Sequence, residues 1–193
     1  MLKLRYGNTN TFFSNGLLLD TDMPGTLPAL FKALKQNSLQ PDDIRYVLAT
    51  HYHPDHMGLI SELMTRGTKL LLVDTQKEAV HFSDEIFSRQ KGLNYKPINE
   101  ADAVVITCAE SRTFLAELGL AGEIVTTESH SADGIALLTD DGCCYVGDLE
   151  PLSFAAGYED STLLKADWER IMKHRAGHAP KKVFPAHMPE YEL

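Results

Sequence analysis

The chain has 193 residues, of which 44% are hydrophobic, and it carries a net charge of −9 with a pI near 5.3. This length and composition are typical of one globular domain with a substantial core, so we expect a single domain over residues 1–193. The acidic balance leaves no broad basic surface for a phosphate backbone, so no nucleic-acid partner is expected.

The first ten residues, MLKLRYGNTN, contain no apolar segment of the kind found in secretory signals, and no run approaches the length of a membrane span. Cys108, Cys143 and Cys144 form neither an even framework nor a CxxC pair, so they are expected to be reduced thiols. We therefore expect a soluble cytoplasmic protein without a membrane partner. The sequence does not indicate an oligomeric state.

The chain begins with a predicted β-hairpin. Residues 9–13 and 16–20 have the composition of short strands, with the turn at Ser14-Asn15-Gly16. A helix is predicted over residues 26–37, because its leucines and Phe31 recur at helical spacing. Thr26 is the predicted cap of this helix.

Residues 50–58, which read THYHPDHMG, are the most informative stretch. They follow a predicted strand over residues 44–50 and place four candidate ligands within six positions, namely His51, His53, Asp55 and His56. Imidazole nitrogens and carboxylate oxygens are ligands that zinc and other first-row ions accept. Helical spacing resumes over residues 57–67, so the sequence predicts a metal site, with room for two ions, at a strand-to-helix junction.

The next segment is less regular. Residues 69–73 read as a strand, and Thr75 with Glu78 predicts a capping box for a short helix. Residues 81–102 then form a long irregular stretch, which is either a lid over the site or a plain surface excursion.

The second half continues the alternation of strands and helices. Strands are predicted over residues 103–107, 123–127 and 182–184, a hairpin over 135–146, and helices over 111–118 and around Trp168. The remaining candidate ligands stand just before or just beyond such strands; they are His130, Asp148 and His187. Because α/β proteins place their chemistry in the loops at strand ends, converging loops could bring these residues to the first cluster.

Taken together, these motifs resemble the metallo-β-lactamase-fold hydrolases. The resemblance rests on HYHPDH, His130 in ESHSADGIALL, Asp148 in YVGDLEP, His187 in FPAH and an early LLLDTDMPG, all in the expected order. It implies an α/β (α+β) fold, a four-layer αβ/βα sandwich in which helices flank two mixed sheets. It also implies that His51, His53 and His130 bind one metal, that Asp55, His56 and His187 bind a second, and that Asp148 bridges both.

The resemblance implies a dinuclear metal-dependent hydrolase in which a metal-bridging hydroxide attacks a small ester, thioester, lactone or phosphodiester. Asp55 would orient the nucleophile, and zinc is the expected metal, with manganese or iron also compatible with the ligands. Asp148 argues against β-lactam hydrolysis, since the common zinc β-lactamases do not use such an aspartate. The alternative is a non-catalytic protein that keeps the fold and metals and senses a ligand.

The residues that would contact the small-molecule substrate are less well defined. Tyr52 flanks two ligands and is a candidate for the rim of the site. Phe154 and Tyr158 lie on the segment that begins after Asp148 and are candidates for its wall. Ordinary core packing is at least as good an interpretation of Phe154 and Tyr158.

Overall fold

The computed structural model describes residues 1–90, 92–93, 95–173 and 180–193. Its contacts divide the chain into two compact units, Met1–Ile106 and Thr107–Leu193. Each unit contains one β-sheet with its own helices. The expectation of one domain over the whole chain stays a prediction.

The first unit is built on a six-stranded sheet whose spatial order follows the chain. The strands are β1 Leu2–Leu4, β2 Thr11–Ser14, β3 Leu17–Leu19, β4 Tyr46–Leu48, β5 Lys69–Val73 and β6 Val104–Ile106. Strands β2 and β3 form the predicted hairpin, with Asn15 and Gly16 at positive φ in its turn. Strands β3 to β6 are parallel, so the loops at their carboxyl ends share one edge of the sheet.

The helices of the first unit are α1 Leu27–Gln36, α2 Pro54–Met57, α3 Ile60–Met64 and α4 Asp84–Ser88. Helix α1 occupies the predicted segment and Thr26 stands at its N-cap as predicted, but the Thr26 hydroxyl donates to the Met23 carbonyl and caps no N–H of the helix. The helix predicted over residues 57–67 is interrupted at Gly58 and Leu59, which separate α2 from α3.

The core of the first unit explains this arrangement. Leucines 30 and 34 of α1 and residues 60 and 63 of α3 join a buried cluster with one face of β3, β4 and β5. The residues of the opposite face, Leu19, Leu48 and Leu71, are also fully buried. Burial on both faces accounts for the nearly continuous apolar composition of these strands.

One further prediction in this unit is wrong. Residues Asp74–Ala79 form a 3-10 helix, and the side-chain oxygen of Gln76 accepts the Val73 N–H at its start, in place of the predicted pair of Thr75 and Glu78. The Gln76 amide is fully buried and also donates to the Ala49 carbonyl, 3.0 Å away. A tertiary contact therefore decides which side chain accepts the hydrogen bond at the start of this 3-10 helix.

The second unit contains a five-stranded sheet in the order β11-β10-β9-β8-β7. The strands are β7 Gly122–Thr126, β8 Ile135–Thr139, β9 Cys143–Gly147, β10 Lys182–Pro185 and β11 Tyr191–Glu192, and the helices are α5 Cys108–Glu117 and α6 Thr162–Met172. Helix α6 buries Leu164, Trp168 and Ile171 against the sheet. Strands β9 and β10 are parallel and pair Gly147 with Pro185, so the segments that follow both strands leave the same edge.

The three cysteines are free thiols, as predicted. Among the described residues, no helix is long and apolar enough to cross a membrane.

Candidate metal centre

The candidate site residues of the first unit follow the carboxyl ends of two parallel strands, β3 and β4. Asp20 follows β3 directly, and Thr50 and His51 follow β4. The Asp20 carboxylate accepts the Thr50 N–H at 2.6 Å and the Thr50 hydroxyl at 3.0 Å. The two strand ends are thereby tied together at the point where the histidine-rich loop begins.

The four candidate ligands of this loop, which we call the first-unit group, lie close together: His51, His53, Asp55 and His56. His51 Nε2 lies 2.9 Å from His53 Nδ1, and the rings of His51 and His56 have centroids 4.1 Å apart. Two nitrogen ligands on one tetrahedral zinc ion are about 3.3 Å apart, given bonds of about 2.0–2.1 Å. The His51 and His53 nitrogens stand at a hydrogen-bonding distance, which is slightly shorter than the spacing of two ligands on one ion.

Asp20 also contacts a candidate ligand, His56. Its Oδ2 lies 3.2 Å from His56 Nδ1, and both side chains are almost completely buried. An imidazole that donates from Nδ1 to a carboxylate keeps the lone pair on Nε2 available as a metal ligand. His56 Nε2 lies 4.0 Å from Oδ1 of Asp55, another candidate ligand.

The backbone of the loop is held by side chains from distant segments. The hydroxyl of Thr9 donates to the Asp55 carbonyl at 2.7 Å, that of Thr21 to the His56 carbonyl at 3.0 Å, and that of Ser83 to the Tyr52 carbonyl at 2.7 Å. A Cβ at Gly58 would stand 2.5 Å from the Asp22 carbonyl oxygen, so this position admits only glycine. These contacts together fix the backbone of the loop.

The second unit contributes three further candidate ligands, the second-unit group: His130, Asp148 and His187. Asp148 Oδ2 lies 3.5 Å from His130 Nε2, and Asp148 Oδ1 lies 3.3 Å from His187 Nε2. These separations exceed the 2.7–2.9 Å or so of a direct charge-assisted hydrogen bond and match the spacing of ligands around a shared ion. One carboxylate thus turns a different oxygen toward each histidine.

A buried aspartate holds the loop that carries His130. Asp167 of α6 is fully buried, and its carboxylate accepts the N–H groups of Glu128 at 3.0 Å and Ser129 at 2.8 Å. Arg170 donates to the same carboxylate at 2.8 Å and to the Thr126 carbonyl at 2.8 Å. Hydrogen bonds from two residues of α6 therefore hold the backbone of residues 126–129, which leads into His130.

Of the residues predicted to contact the substrate, Tyr52 does not lie at the rim of the site. Its side chain is 1% exposed and packs within the apolar core of the first unit, so its prediction as a rim residue is wrong. Phe154 is exposed, and Tyr158 lines a cavity that also touches His130. Phe82, which the sequence did not single out as a site residue, is largely exposed, and its ring centroid lies 5.4 Å from that of His53.

The donors fit the metals that the sequence indicates. Neutral imidazoles and carboxylates suit zinc, and they also suit manganese and iron. Within each unit the donor atoms approach one another closely, and in the first unit buried carboxylate support orients one imidazole. That the seven residues form one dinuclear centre stays a prediction.

The chain belongs to the metallo-beta-lactamase superfamily, because the sequence model of that family matches residues 14–187, nearly the whole chain. The predicted fold class is thereby confirmed. The superfamily is largely hydrolytic and includes dinuclear metal hydrolases.

Solved structures support the same fold. The metallo-beta-lactamase family protein TTHA1429 of Thermus thermophilus has a TM-score of 0.69 at 19% identity, over 95% of this chain and 70% of that one. TTHA1623, solved in a di-iron-bound form, has a TM-score of 0.68 at 22% identity, over 99% and 93% of the two chains. At these identities the likeness shows the fold alone.

A curated relative was also found in Drosophila melanogaster. This "Beta-lactamase-like protein 2 homolog" is 28% identical over 186 residues, which cover 93% of this chain. The chain spans only 58% of the length of that relative.

Proposed function

We propose that this protein is a dinuclear metal-dependent hydrolase that cleaves a small ester, thioester, lactone or phosphodiester. In this proposal His51, His53 and His130 hold one ion, Asp55, His56 and His187 hold the other, and Asp148 bridges them. The observation that carries the proposal is the Asp148 carboxylate, which presents one oxygen to each of two histidines. The superfamily supports it, since it includes dinuclear hydrolases.

The ions would supply a nucleophilic water at neutral pH and would stabilise the negative charge that develops on the substrate. The residues of the chain prepare the site for this task. Asp55 orients the attacking water through its carboxylate, which is one-third exposed. Asp20 keeps His56 in the tautomer that leaves Nε2 free to bind a metal ion. The hydrogen bonds from Thr9 and Thr21 hold the backbone of Asp55 and His56 in place.

Zinc is the proposed metal, on the chemistry of the donors. Iron is the first alternative, because the structurally similar TTHA1623 was solved in a di-iron-bound form. Manganese suits the same ligands.

The first test is metal content, measured by plasma mass spectrometry on protein purified without chelator or a nickel column. We expect about two ions per chain, since seven ligands with one shared carboxylate suit two sites. Metal-free protein that takes up no zinc, iron or manganese on reconstitution would contradict the proposal.

The second test is turnover of a panel of chromogenic esters, thioesters, lactones and phosphodiesters. We expect Asp55→Ala to lower kcat by about 100-fold or more for each compound that the wild type hydrolyses, because the water loses its orienting carboxylate. Asp42→Ala, the same change at an exposed aspartate, is the matched control and should leave kcat unchanged. If two ions bind and no compound is turned over by any variant, the metal-containing sensor becomes the better interpretation.

A further inference from the structure

The second unit contains a cavity of about 370 Å³ beside the candidate ligand His130. Its volume lies at the lower end of the range of about 300–1,000 Å³ that small-molecule sites occupy. The side chains that shape it include Glu150, Tyr158, Asp160, Leu163 and Leu164. A group bound in this cavity would therefore lie next to the second-unit group.

The cavity wall carries negative charge. Glu150 and Asp160 each contribute a carboxylate, and no lysine or arginine is among the described residues that line the cavity. The Thr162 N–H donates to Asp160 at 2.9 Å and lowers the pKa of its carboxyl, so the charge is present at neutral pH. Lys165 acts on Asp160 from outside the cavity and offsets only part of this charge.

The remaining walls are aromatic and apolar. Tyr158 is half-exposed, and its hydroxyl donates to the Glu150 carboxylate, which holds the ring beside that charge. Leu163 and Leu164 add an apolar surface. A tyrosine ring attracts cations through its electron-rich face, and alkyl groups on the cation gain contact with apolar walls. Carboxylates, an aromatic ring and leucines together form a lining suited to an alkylated ammonium group.

We propose that this cavity binds the ammonium group of a cationic substrate and so selects cationic esters over neutral and anionic ones. The catalytic part of this inference rests on the proposed hydrolase function, and the binding part does not. Phosphodiesters and carboxylate-bearing substrates would meet the repulsion of both carboxylates. The proposal thus narrows the substrate class toward small esters or thioesters of amino alcohols and related cations.

The kinetic test compares two esters of equal shape, acetylcholine and its neutral carbon isostere 3,3-dimethylbutyl acetate, by pH-stat titration. We expect kcat/KM to be about tenfold higher for acetylcholine, since each of the two carboxylates, partly buried at Glu150 and exposed at Asp160, contributes a factor of a few. Glu150→Gln and Asp160→Asn should each reduce this ratio, while both amides can still accept the hydrogen bonds from Tyr158 and Thr162. Glu159→Gln removes an exposed carboxylate on the same segment, outside the cavity lining, and should leave the ratio unchanged.

The binding test needs no turnover. Calorimetry on the purified protein compares choline with 3,3-dimethylbutan-1-ol, and we expect choline to bind about tenfold more tightly to the wild type and to the Glu159→Gln variant. In the Glu150→Gln and Asp160→Asn variants this preference should shrink. A thermal melt of each variant checks that the fold is retained.

The outcomes separate the two proposals. Preferential binding of choline without hydrolysis of any ester would overturn the proposed function and leave the cavity assignment standing. Hydrolysis of both esters at equal kcat/KM, with equal binding of choline and the neutral alcohol, would overturn the cavity assignment and leave the hydrolase standing.

Discussion

The two ligand groups are assembled in different ways. The first-unit group comes from six consecutive positions that run from the end of β4 into α2, and its His56 is fully buried. The second-unit group comes from three loops far apart in the sequence, and its histidines are about one-third exposed. Both lie at strand ends, yet only the first group is visible as a continuous motif.

The supporting carboxylates differ in the same way. Asp20 contacts a ring nitrogen of a candidate ligand directly, whereas Asp167 contacts the backbone N–H groups that precede His130. The first arrangement controls the tautomer and basicity of a ligand, and the second controls where a ligand is placed. Changes at these two aspartates should therefore have effects of different size and kind.

The largest effect is expected for Asp20→Ala. The change leaves the Thr50 N–H and His56 Nδ1 without their buried acceptor, which should lower the free energy of unfolding by about 2–4 kcal/mol. Metal affinity should fall by about 10–100-fold, because His56 loses its orienting partner. Urea unfolding and metal titration measure the two effects.

Asp20→Asn is the companion variant, since the amide keeps the volume and can still accept the Thr50 N–H. We expect it to recover most of the stability and only part of the metal affinity. Equal metal affinity in Asp20→Asn and the wild type would mean that the carboxylate does not tune His56.

A smaller effect is expected for Asp167→Asn. The amide oxygen can accept one of the two backbone N–H groups, and the charged contact with Arg170 is lost, which should cost about 1–3 kcal/mol of stability. Because the loop is displaced but no ligand is altered, occupancy of one metal site should fall before the other. Metal titration followed by mass spectrometry resolves the two steps.

The matched control is Glu169→Gln, at an exposed position of the same helix. It should leave both stability and metal content close to wild type, since its carboxylate forms an exposed ion pair with Lys173, which contributes little. Loss of both metals in equal proportion in Asp167→Asn would contradict a role confined to His130, which in the proposed assignment binds only one of the two ions.

The same contrast explains what the sequence could predict. The first-unit group could be proposed from the sequence because its candidate ligands fall within six positions and follow a strand, and the hairpin at Asn15 and Gly16 could be predicted from local turn chemistry. Asp20 was not assigned a role, because its partner His56 lies 36 positions further along the chain. The role of Asp167 depends on contacts across the unit, although an aspartate on the buried face between Leu164 and Trp168 was a usable signal.

Tyr52 shows the opposite error. It stands between two histidines, and the sequence placed it on the rim of the site with them. The pattern of a loop does not reveal which side faces the core, and packing against the apolar cluster of the first unit decided its position. The role of Gln76 at the start of its 3-10 helix was missed for the same reason, because its side chain donates to a carbonyl 27 positions away.

The smallest effect concerns a pH-dependent contact that the first unit has near its ligands. His81 Nδ1 lies 2.7 Å from Asp84 and its Nε2 lies 3.0 Å from Glu100, next to Phe82, whose ring contacts His53. The hydrogen bond with Asp84 raises the pKa of His81, with a further contribution from Glu100. Because the pKa is higher in the folded state, the stabilisation is fully present below the unfolded value and is lost as the pH rises through the folded value.

The variant His81→Gln tests this contact. At about pH 6 the wild type should be more stable than the variant by less than about 1 kcal/mol, because the ion pairs are half-exposed and screened by solvent; at about pH 9 the difference should largely disappear. Urea unfolding of both proteins at the two pH values measures this stability difference. Subtracting the variant from the wild type cancels the contribution of groups that titrate alike in both proteins. A difference that stays the same at both pH values would show that the charged form of His81 does not fasten this segment beside the first-unit group.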